Sequence, residues 1–165
     1  MQNPFDNLIK YYGASLTKLC MSLCNNFHDA QDLYQSTWEK AMKKYKYYDA
    51  TKPFEKWLYT ICINTYRDSL RRFDIKKVFK FSTVEEQERY INSIADFSND
   101  KDEYIALHNS IKNLSPQLRE TVVLYYFKDY TIDELSEILM IPTGTVKSRL
   151  HNARNLIKKE LNVDE

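Results

Sequence analysis

The sequence predicts an all-α fold, two small helical domains joined by a partly ordered acidic linker. Three observations lead there. Gly13 and Gly144 are the only glycines, whereas all-β folds draw on glycine throughout their turns. Apolar residues recur every three or four positions, the period of one helix face. Helix-start signals at Asp29, Ser115-Pro116 and Thr131 to Glu134 precede apolar runs.

The first domain is expected over residues 1–75. Phe5, Leu8, Tyr12, Leu16, Leu19 and Leu23 line one side of a first helix. A second helix is expected from Asp29 as N-cap, burying Ala30, Leu33, Tyr34, Thr37, Trp38 and Ala41. The stretch KYKYYDATKP breaks the pattern, and Pro53 opens a third helix. That helix turns Leu58, Ile61, Cys62, Thr65 and Ser69 to one side, and Thr60, Asn64, Arg67 and Arg71 to the other.

Residues 76–103 are expected to be the linker. The segment is polar and acidic, with a short helix expected after the capping-box form Ser82-Thr83-Val84-Glu85 and a flexible joint at SNDKDE.

The second domain is expected over residues 104–165. Ile105, Ile111 and Leu114 mark one helix, and Ser115-Pro116 starts another through Leu118, Val122, Val123 and Tyr126. The capping box TIDE starts a short helix with Ile132, Leu135, Ile138 and Leu139 inward. Ile141-Pro142 interrupts it, because a residue before proline avoids helical geometry. The last helix buries Val146, Leu150, Ala153 and either Leu156 or Ile157.

The formal net charge of +1 says little about partners, but its distribution says more. Residues 1–73 carry eleven Lys/Arg against seven Asp/Glu, and residues 74–103 carry five against eight. All charges between Thr143 and Lys159 are positive. Two basic faces thus flank an acidic middle, which suits an anionic partner. No apolar run is long enough to span a bilayer, and the N-terminus lacks a secretory pattern, so a cytoplasmic location is expected. Cys20, Cys24 and Cys62 are odd in number and argue against a disulfide framework. Cys20, Cys24 and His28 fall at metal-ligand spacing only if one helix runs through Asn25-Asn26. Buried thiols and no metal are the expectation.

The run IPTGTVKSRLHNAR carries the sharpest chemistry. A capped short helix, a tight turn and a longer basic helix make a helix-turn-helix, whose second helix enters the DNA major groove. Thr145, Lys147, Ser148, Arg149 and His151 are the early positions that would meet base edges. Gly144 would let backbone N–H groups approach a phosphate, and Arg154, Lys158 and Lys159 would meet phosphates further along. Met140 stands where such turns use glycine to reach positive φ, at a cost of roughly 1 kcal/mol.

A second surface suits a single strand. The third helix combines Phe54, Trp57, Tyr59, Tyr66 and Phe73 with Arg67, Arg71 and Arg72, and the loop before it carries Tyr45, Tyr47 and Tyr48. Bases stack on such rings while phosphates pair with the cations, each stacked base being worth about 1–3 kcal/mol. The same rings also suit the core of a small bundle. The second helix has a polar outer edge of Asp32, Gln35, Ser36, Glu39 and Lys40, which fits either solvent or a partner helix.

These pieces together resemble the extracytoplasmic-function sigma factors, the small bacterial RNA polymerase specificity subunits. LSPQLRETVVLYYFKDYTIDELSEILMIPTGTVKSRLHNAR resembles their region 4. DAQDLYQSTWEKA resembles region 2.2, and FEKWLYTICINTYRDSLRR resembles regions 2.3 and 2.4. The resemblance implies that Asp32, Gln35, Ser36 and Glu39 meet the coiled coil of the polymerase β′ subunit, with Ser36 in place of the usual acidic residue. It implies that Tyr47, Tyr48, Lys52, Trp57, Asn64, Arg67, Arg71 and Arg72 hold the non-template strand of the −10 element. The −35 element would be read by Gly144, Thr145, Lys147, Ser148, Arg149, His151, Asn152 and Arg154, with Asn152 where relatives often carry arginine. Core polymerase (β′ and β subunits), promoter DNA and an anti-sigma factor are the implied partners. The linker would thread the RNA exit channel, imitating RNA with its negative charge.

The alternative is a stand-alone helix-turn-helix regulator that binds duplex DNA without polymerase, as a dimer on two half-sites. The aromatic cluster before Arg71 favours the first reading, since a duplex binder has no need of strand capture. An enzyme is not expected. No phosphate loop or nucleophile with a placed base is evident, no catalytic residue or cofactor is implied, and His28, His108 and His151 are scattered.

Overall fold

The computed structural model describes residues 3–76 and 101–162, which are helical with no strand among them. The expected helix after Ser82 and most of the linker lie outside the described residues. In chain order the helices are α1 (Pro4–Leu23), α2 (Phe27–Lys44), α3 (Phe54–Lys76), α4 (Lys101–Lys112), α5 (Pro116–Val122), α6 (Ile132–Leu139) and α7 (Thr143–Leu161). A short 3-10 turn, Tyr45–Tyr47, follows α2.

Helices α1 to α3 form the first block. Asn3 caps α1 by accepting from the Phe5 amide, with Pro4 at the first helical position. The chain turns extended at Cys24, so Cys20, Cys24 and His28 do not share a helix. Cys20 Sγ instead lies 3.9 Å from Cys62 Sγ on α3. The neighbouring Cys62 thiol and burial push the Cys20 thiol up, and burial does the same to Cys24. All three therefore pack as small apolar groups. Helix α2 starts earlier than expected because Asn26, not Asp29, is the cap. The Asp29 amide donates to Asn26 Oδ1 at 2.8 Å, while Asn26 Nδ2 donates back to the Asp29 carboxylate at 2.9 Å. The core joins Leu16, Leu19 and Leu23 to Leu33 and Trp38, and to Leu58, Cys62 and Ile63.

Helices α4 to α7 form the second block. Helix α4 begins at Lys101, inside the stretch expected as a joint. Helix α5 widens into a π-helical segment, Val123–Phe127, where a continuous α-helix was expected. Thr131 and Glu134 close their capping box, and Thr131 Oγ1 accepts from the Glu134 amide at 3.2 Å. Met140 takes the left-handed conformation, φ 56° and ψ 47°, and lets the Ile141 amide reach the Ser136 carbonyl at 3.2 Å. The last helix packs Val146, Leu150, Ala153 and Ile157 inward, while Leu156 is exposed.

The blocks share one apolar cluster and also dock through polar contacts. Helix α1 has no basic residue in its last turn. Cations of the other block reach its final carbonyls instead. Arg119 Nη1 donates to Leu23 O at 2.8 Å, and Lys112 Nζ donates to Cys24 O. Arg119 also donates to Tyr66 Oη at 3.2 Å and to Leu114 O at 2.9 Å. Burial lowers the Lys112 ammonium to about 7. Lys128 Nζ donates to Ser15 O and Ser15 Oγ, both at 3.0 Å.

Candidate nucleic-acid and partner interfaces

Helix α7 begins without a side-chain cap at Pro142. A Cβ built on Gly144 would meet no atom within 4 Å, so the space before this helix end is open. Lys147, Ser148, His151, Asn152 and Arg154 are exposed, and Thr145 is half-buried. Ser148 Oγ donates to Thr145 O at 3.1 Å, which ties its hydroxyl to the helix. His151 and Asn155 pair along the outer face at 3.2 Å. Arg154 donates to Tyr126 Oη and lies over the Tyr125 and Tyr126 rings, 5.8 Å and 5.6 Å from their centroids. Arg149 differs from its neighbours. Only 18% of its side chain is accessible, and Nη1 points to Glu120 Oε1 at 3.5 Å.

The aromatic cluster of the first block divides into core and surface. Phe54, Tyr59 and Tyr66 are buried, whereas Tyr47 is 75% exposed. Trp57 is half-buried, with its ring centroid 5.0 Å from that of Tyr48 and 5.4 Å from that of Phe54. The loop after the 3-10 turn is internally braced. Thr51 N and Oγ1 both donate to Asp49 Oδ1, at 3.0 Å and 2.7 Å, and Lys52 N donates to Asp49 O at 3.0 Å. The Thr51 hydrogen bonds hold the Asp49 carboxyl below the usual carboxylate range. Tyr48 Oη donates to Lys52 O and closes the loop from the other side. Tyr47 and Lys52 project beyond this brace, with Lys46 lying 5.0 Å from the Tyr47 centroid.

On α3, Asn64, Arg71 and Arg72 are exposed. Arg71 Nη2 lies 3.5 Å from Asp68 Oδ1. Arg67 is held by Glu120, with Nη2 to Oε1 at 2.7 Å and Nε to Oε2 at 3.3 Å. Of the expected strand-holding residues on α3, Asn64, Arg71 and Arg72 are thus open to solvent, whereas Arg67 is occupied.

Asp32, Gln35 and Glu39 are exposed on the outer edge of α2, and Ser36 is half-buried. Asp32, Gln35 and Glu39 border a groove of about 830 Å³ between α1 and α2, whose apolar lining includes Ile9, Met21, Phe27, Trp38 and Met42. Trp38 Nε1 is buried in this lining and has no hydrogen-bond partner among the described residues. Among the described residues no cluster of His, Cys, Asp and Glu has metal-holding form.

Comparison with known proteins decides the family. Residues 8–82 match the family model for Sigma-70 region 2, and residues 104–157 match that for Sigma-70 region 4. The ECF RNA polymerase sigma factor SigW of Bacillus subtilis is 29% identical over 168 residues, covering 97% of this chain and 90% of that protein. This chain belongs to the extracytoplasmic-function sigma factors. The RNA polymerase sigma-H factor of Pseudomonas aeruginosa is 27% identical, covering 97% of this chain and 87% of that protein. The fold is also that of the sigma factor RpoE solved with the anti-sigma factor NepR from Bartonella quintana. That likeness has a TM-score of 0.78 and 24% identity, and it covers 98% of each chain.

Two residues of this sigma factor escaped the reading of its sequence as site residues, Arg119 and Glu120. Both are buried, at 5% and 1% exposure. A signal was present, because Val122, Val123 and Leu124 are consecutive apolar positions on one helix. A helix apolar all round is buried, and charges just before such a run must be paired. The partners, on α1, α3 and α7, are remote in sequence and leave no such trace.

Proposed function

We propose that this sigma factor joins core RNA polymerase through the outer edge of α2 and directs it to promoters by two separate DNA contacts. Asp32, Gln35, Ser36 and Glu39 meet a helical partner, the β′ coiled coil, whose apolar side chains enter the groove beneath them. Residues 1–75, through Tyr47, Tyr48, Lys52, Trp57, Asn64, Arg67, Arg71 and Arg72, hold the unpaired −10 strand. Residues 104–165, through Gly144, Thr145, Lys147, Ser148, His151, Asn152 and Arg154, meet the −35 duplex, with Arg149 supporting the helix from behind. The protein acts in the cytoplasm as a specificity subunit, not as an enzyme. No described helix is long and apolar enough to cross a membrane. An anti-sigma factor is proposed as a further partner, by analogy with the solved relative bound to NepR.

One observation carries this reading. The exposed aromatic loop and the uncapped basic helix belong to different blocks, so one chain offers a single-strand surface and a duplex surface. Run-off transcription with purified core polymerase tests it. The expected result is a promoter-dependent transcript only when the chain is present, with Asp32→Ala weakening association with core. A chain that fails to bind core, or binds it without yielding a transcript, overturns the proposal.

A further inference from the structure

Consecutive residues of a regular helix point to different neighbours. Tyr125 and Tyr126 share one. They lie in the π-helical segment Val123–Phe127, and both rings face Arg154 on α7. Such widened turns occur frequently at functional sites. The two ring planes stand at 83° with their centroids 4.9 Å apart, so they form a corner around the guanidinium. Tyr125 packs against the core and fixes one wall, while the exposed Tyr126 makes the other. Arg154 Nε donates to Tyr126 Oη, which locks the side chain in that corner. A guanidinium carries five N–H donors in a planar fork. With Nε committed, Nη1 and Nη2 remain, and neither has an acceptor among the described residues. Arg154 stands seven positions after Lys147 and three after His151, so the three share a face of α7, and all are exposed.

We propose that Tyr125 and Tyr126 are positioning residues for the duplex contact: they hold the Arg154 guanidinium in advance and leave its two Nη groups to take one backbone phosphate. This rests on the reading of α7 as the duplex-facing helix. A free arginine on a helix surface samples many rotamers and loses that freedom when it binds. One already held by two rings and a hydroxyl has less to lose. A paired donor fork also matches phosphate geometry better than a single N–H. Because a phosphate carries no base identity, the two tyrosines strengthen binding to every duplex sequence alike.

The face is exposed in the chain by itself, so the test uses the full chain without polymerase. Fluorescence anisotropy follows its binding to a fluorescein-labelled duplex of random sequence across a series of salt concentrations. The variants are Tyr126→Phe, which keeps the ring and removes the acceptor, Arg154→Ala, and the two combined. Tyr126 is 49% exposed, so losing its hydroxyl spares the core, and melting curves check that each variant is folded. Arg154→Ala should weaken binding and make the slope of log affinity against log salt shallower by about 1, the loss of one phosphate contact. Tyr126→Phe should weaken binding severalfold with the slope unchanged, because the charge is still there. Added to Arg154→Ala, it should cost nothing more. An unchanged slope in Arg154→Ala, or a native chain that does not bind the duplex at low salt, overturns the phosphate contact. Unchanged binding by Tyr126→Phe, or an equal loss whether or not Arg154 is present, overturns the positioning and leaves the corner a structural staple. Run-off transcription by the native chain with core polymerase does not depend on these results, so failure of the positioning is separable from failure of the sigma-factor mechanism.

Discussion

Arg67 and Glu120 meet across the two blocks in a two-nitrogen grip, with Nη2 2.7 Å from Oε1 and Nε 3.3 Å from Oε2. The same carboxylate receives Arg149 at 3.5 Å. One buried acid thus links the helix proposed to hold the unpaired strand with the helix proposed to read the duplex.

Removing the acid should cost more than removing either base. Glu120→Ala leaves two guanidinium groups without their carboxylate, and loss of one partner from a buried pair costs about 3 kcal/mol or more. Arg67→Ala leaves Glu120 its contact with Arg149 and, with Arg67 itself partly exposed, should cost about 1 kcal/mol. Chemical denaturation of the two variants checks the order.

Lys147 and Arg149 should behave differently at promoters. Lys147 is exposed on the outer face of α7, so Lys147→Ala should weaken initiation unevenly across −35 sequences, by about 1–3 kcal/mol where it meets a preferred base. Arg149 faces Glu120, so Arg149→Ala should lower stability and weaken all −35 sequences alike. Run-off transcription from a set of −35 variants, beside thermal melts, separates the two outcomes.

Acid should destabilise the second block through His108. Burial, reinforced by the Arg119 charge, lowers this imidazole from 6.5 to about 4. Its folded value lies below its unfolded value, so the unfolded chain binds the extra proton first. Stability therefore falls as pH drops from about 6.5 towards 4, by at most about 1.4 kcal/mol per pH unit from this group. His108→Met should flatten that part of a denaturation-against-pH curve.

Met140→Gly should stabilise the protein by about 1 kcal/mol or less. The side chain is 75% exposed, so little packing is lost, while the left-handed backbone at φ 56° no longer carries a Cβ. Part of that gain is offset by the greater freedom of glycine in the unfolded chain. A melting curve checks the sign.

Much of the architecture was legible because it is encoded locally. The capping box at Thr131 to Glu134, the stop before Pro142 and the strained turn at Met140 each depend on residues a few positions apart. The first helix ends before His28 for a similar local reason, since Asn26 competes for the Asp29 amide. The errors came where two local signals were both plausible. Asn26 and Asp29 can each cap a helix, and the side-chain contact between them is what selects Asn26. The π-helical segment at Val123–Phe127 had no sequence signal that a regular helix lacks.

The amino-acid order alone determined the helical class, the two blocks, the exposed basic face of α7 and the aromatic loop before α3. Periodicity, caps and turns act over a few residues, so their physics can be read along the chain. Only the tertiary structure decided that Arg149 turns inward and that Arg67 is already occupied. It also showed that α1 takes its C-terminal cations from the opposite block. Those choices depend on which charges meet out of water, and a buried charge finds its partner by proximity in space rather than in sequence.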